Sequence, residues 1–112
     1  MQIKTTQEFQ KSFIKLIKKD KFLISEIREL QSELLENNNL GINLGNGIFK
    51  IRLQNKSNNK GKSAGYRIIT YTKLEDVILF VYIYSKSDLE NISDTKIDEI
   101  IVGYKNSTLF TS

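Results

Sequence analysis

The stretch IFKIRLQ, Ile48 to Gln54, alternates apolar and polar residues without a break. Phe49, Ile51 and Leu53 fall on one face, and Lys50, Arg52 and Gln54 on the other, which is the period of a strand with one buried side. Asn55 to Ser63 (NKSNNKGKS) is a polar, glycine-containing connection, after which Ala64 to Thr72 reads as a second strand. Val77 to Tyr84 is a third, apolar or aromatic throughout. An unbroken run of that kind predicts burial on both faces, hence a central position in the sheet. The short links at 55–63 and 73–76 predict an antiparallel meander.

Upstream of this sheet, Asn37 to Gly47 reads NNNLGINLGNG. Asparagine and glycine tolerate left-handed backbone angles, so the reading is helix termination followed by a loop. Gly45 and Gly47 do not make a phosphate-binding loop, because no GKS/T follows and no helix opens there. Leu23 to Glu36 reads as a helix with Ile24, Ile27, Leu30, Leu34 and Leu35 as its stripe. An earlier helix carries Phe9, Phe13, Leu16 and Ile17 at helical spacing, with Lys11, Lys15 and Lys18 on other faces. Thr5 and Glu8 have capping-box spacing at its start, and Gln2 to Thr5 reads as a short first strand. The polar break from Lys18 to Lys21 makes the two helices an αα-hairpin.

Downstream, Ser93 reads as an N-cap, with Ile92 and Ile97 spaced as a hydrophobic staple. Ile97, Ile100, Ile101 and Tyr104 then share one helical face. The expected architecture is α+β: an N-terminal αα-hairpin packed on a curved, mainly antiparallel sheet of about four strands, with a C-terminal helix. At 112 residues the chain, 1–112, is the size of one domain.

Composition narrows the chemistry. There is no cysteine and no histidine, so disulfides, thiolate metal sites and the commonest general base are excluded together. A zinc site would need carboxylates alone, and neither a metal nor a small-molecule cofactor is expected. No apolar run reaches the roughly 18–20 residues of a membrane helix, and no signal-peptide pattern is visible at the N-terminus. A cytoplasmic address with no membrane partner follows. Net charge is +4, but Ile48 to Lys73 carries Lys50, Arg52, Lys56, Lys60, Lys62, Arg67 and Lys73 with no acidic residue. A one-sided basic stretch is the footprint of a polyanion binder, although a solvated basic surface has the same composition.

Three strings, FKIRL (Phe49–Leu53), KGKSAGYRIITY (Lys60–Tyr71) and LFVYIYSKSD (Leu79–Asp88), resemble the core of the RelE/HigB superfamily of type II toxins. The pattern is a K-I-R strand, a G-K-S-small-G loop, a G-Y-R-hydrophobic strand and a hydrophobic strand ending in Y-x-K. With the preceding hairpin and the terminal ISDTKI (Ile92–Ile97), the resemblance covers nearly the whole chain. It implies an mRNA interferase, an RNA endonuclease that works without a metal ion, on or off the ribosome, and is silenced by a cognate antitoxin. It also implies lysine, arginine and sometimes tyrosine in place of histidine. Lys50 and Arg52 match the basic positions facing the RNA, Arg67 the arginine of the next strand, and Lys86 the basic position after the last long strand. The chain departs from some members at Ser87, at Thr95 and Lys96, and at Ala64. The ParE branch of the same scaffold poisons a DNA topoisomerase by protein contact, and an inactive remnant would only bind antitoxin; both stay open.

Cleavage by 2′-hydroxyl attack needs the hydroxyl aligned, the pentavalent phosphate stabilised and the leaving oxygen protonated. Arg67 is the candidate phosphate clamp, because a guanidinium offers two fixed donors; an intramolecular ion pair is the rival role. Lys50, Arg52 and Lys86 would share the charge. Lys60 and Lys62 on the loop, and Tyr84 at the strand end, are the candidate RNA contacts. Most of the strand tyrosines are expected to be core residues.

Overall fold

The computed structural model describes residues 1–53 and 65–109. Among them the chain forms β1 (Gln2–Thr5), α1 (Gln7–Ile17), α2 (Leu23–Glu36), β2 (Ile42–Gly45), β3 (Ile48–Leu53), β4 (Tyr66–Leu74), β5 (Val77–Ser85) and α3 (Asp94–Leu109). The strands make one open five-stranded sheet in the order β1-β5-β4-β3-β2. The class is α+β, with the hairpin first and a helix last. The 55–63 connection and the start assigned to the second strand at Ala64 lie outside the described residues.

The sheet has five strands where about four were expected, because Ile42 to Gly45 is a strand and not a loop. Asn46 and Gly47 both have positive φ, 56° and 78°, the two-residue hairpin turn whose twist suits the flanking strands. All four residues of β2 are exposed. The ladder to β3 and this turn hold the strand in place, and none of its side chains is fully buried. The sheet is also mixed: β1 runs parallel to β5, pairing Gln2–Thr5 with Val77–Phe80, while the other neighbours are antiparallel.

Beyond Phe80 the same edge of β5 is taken over by α1. Thr6 Oγ1 donates to the Val81 carbonyl at 2.6 Å, and Ser12 Oγ donates to the Ile83 carbonyl. Thr6 also accepts from the Phe9 amide at 2.9 Å, so the helix cap is Thr6 and not Thr5. Pairing with Phe80 keeps Thr5 extended, and the helix therefore starts one residue later.

Each face of the sheet buries its own core. The hairpin covers the first, where Phe9, Leu23, Ile27, Leu30 and Leu34 meet Ile51, Ile68, Ile78, Phe80 and Ile83. Burial of one such side chain stabilises by about 1.5–3 kcal/mol. The buried stripe of α2 is Leu23, Ile27, Leu30 and Leu34; Ile24 and Leu35, expected in it, are exposed. On the second face Ile97, Ile100 and Ile101 of α3 meet Ile48, Ile69, Leu79 and Val81. Ser93 caps α3 as expected, accepting from the Lys96 amide at 3.1 Å. Both faces of β5 are thus buried, as its unbroken apolar run requires.

Candidate functional site

Arg52, Arg67 and Tyr84 stand in one row across three strands. Arg52 is directly opposite Arg67 on β3 and β4, and Arg67 is directly opposite Tyr84 on β4 and β5. Opposed residues of antiparallel strands project to the same face, here the face that carries α3. Lys50, Ile69 and Tyr82 form the next row on that face. A register shift makes this possible. Ile69 pairs with Tyr82 but Thr70 with Phe80, so Val81 is an extra residue on β5. Phe80 points into the hairpin core, and simple alternation would send Tyr82 and Tyr84 after it. The bulge turns both tyrosines to the side of Arg67 and stacks them, their ring centres 6.2 Å apart.

The row is graded in exposure. Arg52 is exposed and Lys50 half-buried, whereas Arg67 and Tyr84 each keep 4% of their surface. Arg67 Nη1 donates to the Tyr66 carbonyl at 3.1 Å. Burial, and then the charge of Arg52, push the Arg67 guanidinium below its ordinary value. Burial likewise pushes the Tyr84 phenol up, with the Ile92 amide and the Arg67 charge pulling the other way. That amide favours the phenolate electrostatically yet falls short of hydrogen-bond geometry, since the Tyr84 hydroxyl has no hydrogen-bond partner among the described residues. Lys50 Nζ reaches Asn91 Oδ1 at 3.5 Å, at the long end of hydrogen bonding. Lys86 follows β5, its amide bonded to the Gly65 carbonyl at 3.0 Å, and is half-buried. Lys60 and Lys62 lie outside the described residues.

With this arrangement the sequence has a family counterpart: the RelE toxin of the RelE / RelB toxin-antitoxin system matches residues 1–107. The chain belongs to the RelE toxin family. No curated protein matches it. As a RelE-family protein it is a toxin of a toxin-antitoxin system and has an antitoxin as partner. Among the described residues no helix is long and apolar enough to cross a membrane, and no group of His, Cys, Asp or Glu is placed to hold a metal ion.

Two further features of this RelE-family toxin border the row. A groove of about 530 Å³ runs between α2 and β3, lined by Leu30, Leu40, Ile42 and Leu53 together with Lys50, Arg52 and one carboxylate, Glu33. It lies where β3 outruns β2, since among the described residues the β2 ladder stops at Lys50 and does not reach Ile51 to Leu53. The second feature is a buried polar pair. Tyr66 donates from its hydroxyl to Asp20 Oδ2 at 2.8 Å, tying the α1–α2 turn to the strand beside Arg67. Asp20 Oδ1 also accepts from the Phe22 amide at 2.9 Å. Sequence reasoning missed Asp20 because it sat in a polar break, among lysines. It missed β2 although Asn46-Gly47 between apolar residues is a hairpin signal.

Proposed function

We propose that this toxin is an mRNA interferase that cleaves RNA in the cytoplasm without a metal ion and is held silent by its cognate antitoxin. The observation that carries this reading is the Arg52–Arg67 pairing. Like charges directly opposite each other destabilise a sheet, and Arg67 is directly opposite Arg52 on one side and Tyr84 on the other. A phosphate between the two guanidiniums would turn that cost into binding energy.

In this reading exposed Arg52 and half-buried Lys50 meet the RNA backbone first. Arg67, fixed by its bond to the Tyr66 carbonyl, presents donors to the phosphate as charge grows on it in the transition state. Tyr84 keeps its proton at neutral pH and supplies a neutral donor beside that charge. Lys86 adds a cation at the end of the row. Lys60 and Lys62 hold the flanking RNA. The antitoxin lays acidic and apolar side chains on the same strand, filling the groove beside Lys50 and Arg52.

Induced expression in a bacterial host tests the reading. Growth should stop, with new 5′ ends appearing in mRNA, and an Arg52→Ala/Arg67→Ala variant produced at the same soluble level should do neither. Arrest with intact transcripts would move the chain to the topoisomerase-poisoning class. Normal growth at verified soluble expression would leave an antitoxin-binding remnant.

A further inference from the structure

We propose that the cleft between α1 and the start of α3 binds the RNA strand where it runs on from the cleavage face, an inference that rests on the RNA-cleaving reading. The cleft has a volume of about 280 Å³ and is lined by Glu8, Lys11, Ser12, Lys15, Tyr82 and Lys96.

Its charge is built in by two helices. Lys11 and Lys15 are one turn apart on α1, on one side of the helix. Ser12, between them, donates to the Ile83 carbonyl and so holds that side against the edge of β5. Lys96 comes from the first turn of α3, whose start is set by the Ser93 cap. Three ammonium groups face one carboxylate, that of Glu8. A concave site lined mainly by one sign of charge concentrates the field and draws in the opposite charge. Lysine, a mobile point charge, suits contact with phosphates irrespective of base sequence.

Tyr82 joins this cleft to the arginine row. Its half-buried ring lines the cleft on one side and stacks on Tyr84, with planes 30° apart, on the other. Tyr84 is in turn directly opposite Arg67. Cations therefore stand at both ends of an aromatic pair: Arg52 and Arg67 toward β3, and Lys11, Lys15 and Lys96 toward α1. Single-stranded nucleic acid is held in this way, by charges along the backbone and rings that accept bases. An acidic peptide would use the lysines but has no use for the exposed part of the ring, so RNA is the better fit.

The test measures binding of 2′-O-methyl single-stranded RNA, which cannot be cut by 2′-hydroxyl attack, at two lengths of about 4 and about 12 nucleotides. The parent chain is compared with Lys11→Ala/Lys15→Ala, with Lys11→Arg/Lys15→Arg and with Tyr82→Leu, each checked for folding by circular dichroism. The alanine pair should weaken the long RNA by about tenfold or more at low salt and reduce its salt slope by about 1.4, while leaving the short RNA unchanged. The arginine pair should restore long-RNA binding, and Tyr82→Leu should lose it several-fold or more, roughly a stacking contact. Unchanged binding of the long RNA by the alanine pair overturns the cleft while the cleavage reading stands. Equal losses at both lengths also overturn it, because the lysines would then act as general surface charge. Competition by a glutamate-rich peptide as effective as that by the long RNA would show charge selection alone, again against the proposal. A parent chain that binds neither RNA overturns the cleft, while the cleavage reading is decided separately by the new 5′ ends in mRNA.

Discussion

Arg67 and Tyr84 sit directly opposite each other on adjacent antiparallel strands, both nearly fully buried, with the guanidinium bonded to the Tyr66 carbonyl and the phenol oxygen lacking a hydrogen-bond partner among the described residues. A buried hydroxyl without a partner among the described residues is costly for stability alone.

Arg67 should dominate activity. Arg67→Ala is expected to lower the cleavage rate by about 100- to 1000-fold, the usual cost of removing one preorganised donor. Arg67→Lys should recover only part of it, because an ammonium lacks the guanidinium fork. Single-turnover cleavage and thermal unfolding measured on the same preparations check this. A folded Arg67→Ala protein with full activity would falsify the phosphate clamp, whereas an unfolded one would make Arg67 structural and shift the role to Arg52 and Lys86.

The Tyr84 hydroxyl separates stability from activity. Phenylalanine keeps the ring and removes a buried oxygen without a partner among the described residues, so Tyr84→Phe should leave the melting temperature unchanged or raise it. Activity should nevertheless fall, since a donor beside the phosphate is gone. Equal activity in parent and variant would reduce Tyr84 to a packing residue.

Lys50 and Arg52 should set how fast the antitoxin binds. Charge steering acts on association more than on dissociation. Lys50→Glu/Arg52→Glu is therefore expected to slow association about tenfold or more at low salt and to abolish its salt dependence. Stopped-flow mixing at several ionic strengths reads this directly. An association rate that ignores both the substitutions and the salt would place the antitoxin elsewhere.

Alkaline stability should report the Tyr66–Asp20 bond. Burial, then the hydrogen bond and charge of Asp20, raise the Tyr66 phenol well above its ordinary 10.0. The folded chain therefore holds this proton at pH values where the unfolded chain releases it. The stabilisation is complete below pH 10 and is lost progressively above it. Tyr66→Phe should show a shallower loss of stability above pH 10 than the parent. At neutral pH it should be less stable by about 1–3 kcal/mol, because buried Asp20 loses a donor. Denaturant midpoints at pH 7 and across the alkaline range decide between this and a surface-like Tyr66.

Much of the fold was legible along the chain. The limits of α2 follow from its periodicity and the Asn-rich stop, and the alternation of Ile48 to Gln54 put Lys50 and Arg52 on one face of β3. Less local features were not. Of the five residues read as the stripe of α2, Ile27, Leu30 and Leu34 are buried but Ile24 and Leu35 are exposed, because several rotations of an apolar-rich helix satisfy nearly the same spacing. Capping-box spacing points to Thr5 and not to Thr6, because the pairing that keeps Thr5 extended involves Phe80, far along the chain.

By itself the sequence determined every element type except β2, the two-sided burial of β5, the basic face of β3 and membership of the RelE family, since each is written in residue order and local period. Only the tertiary structure decided that Tyr84 faces Arg67. Alternation counted from Phe80 places Tyr84 in the hairpin core, and the extra residue Val81 reverses it. A bulge is a property of two paired strands, set by their register and by the side chains each face can bury, so no reading of one strand contains it. Tyr66 and Asp20 are likewise 46 positions apart. Their bond exists because the hairpin must lay its turn against β4 to bury Leu23 and Ile27, and that closure brings a carboxylate to a phenol that neither segment specifies alone.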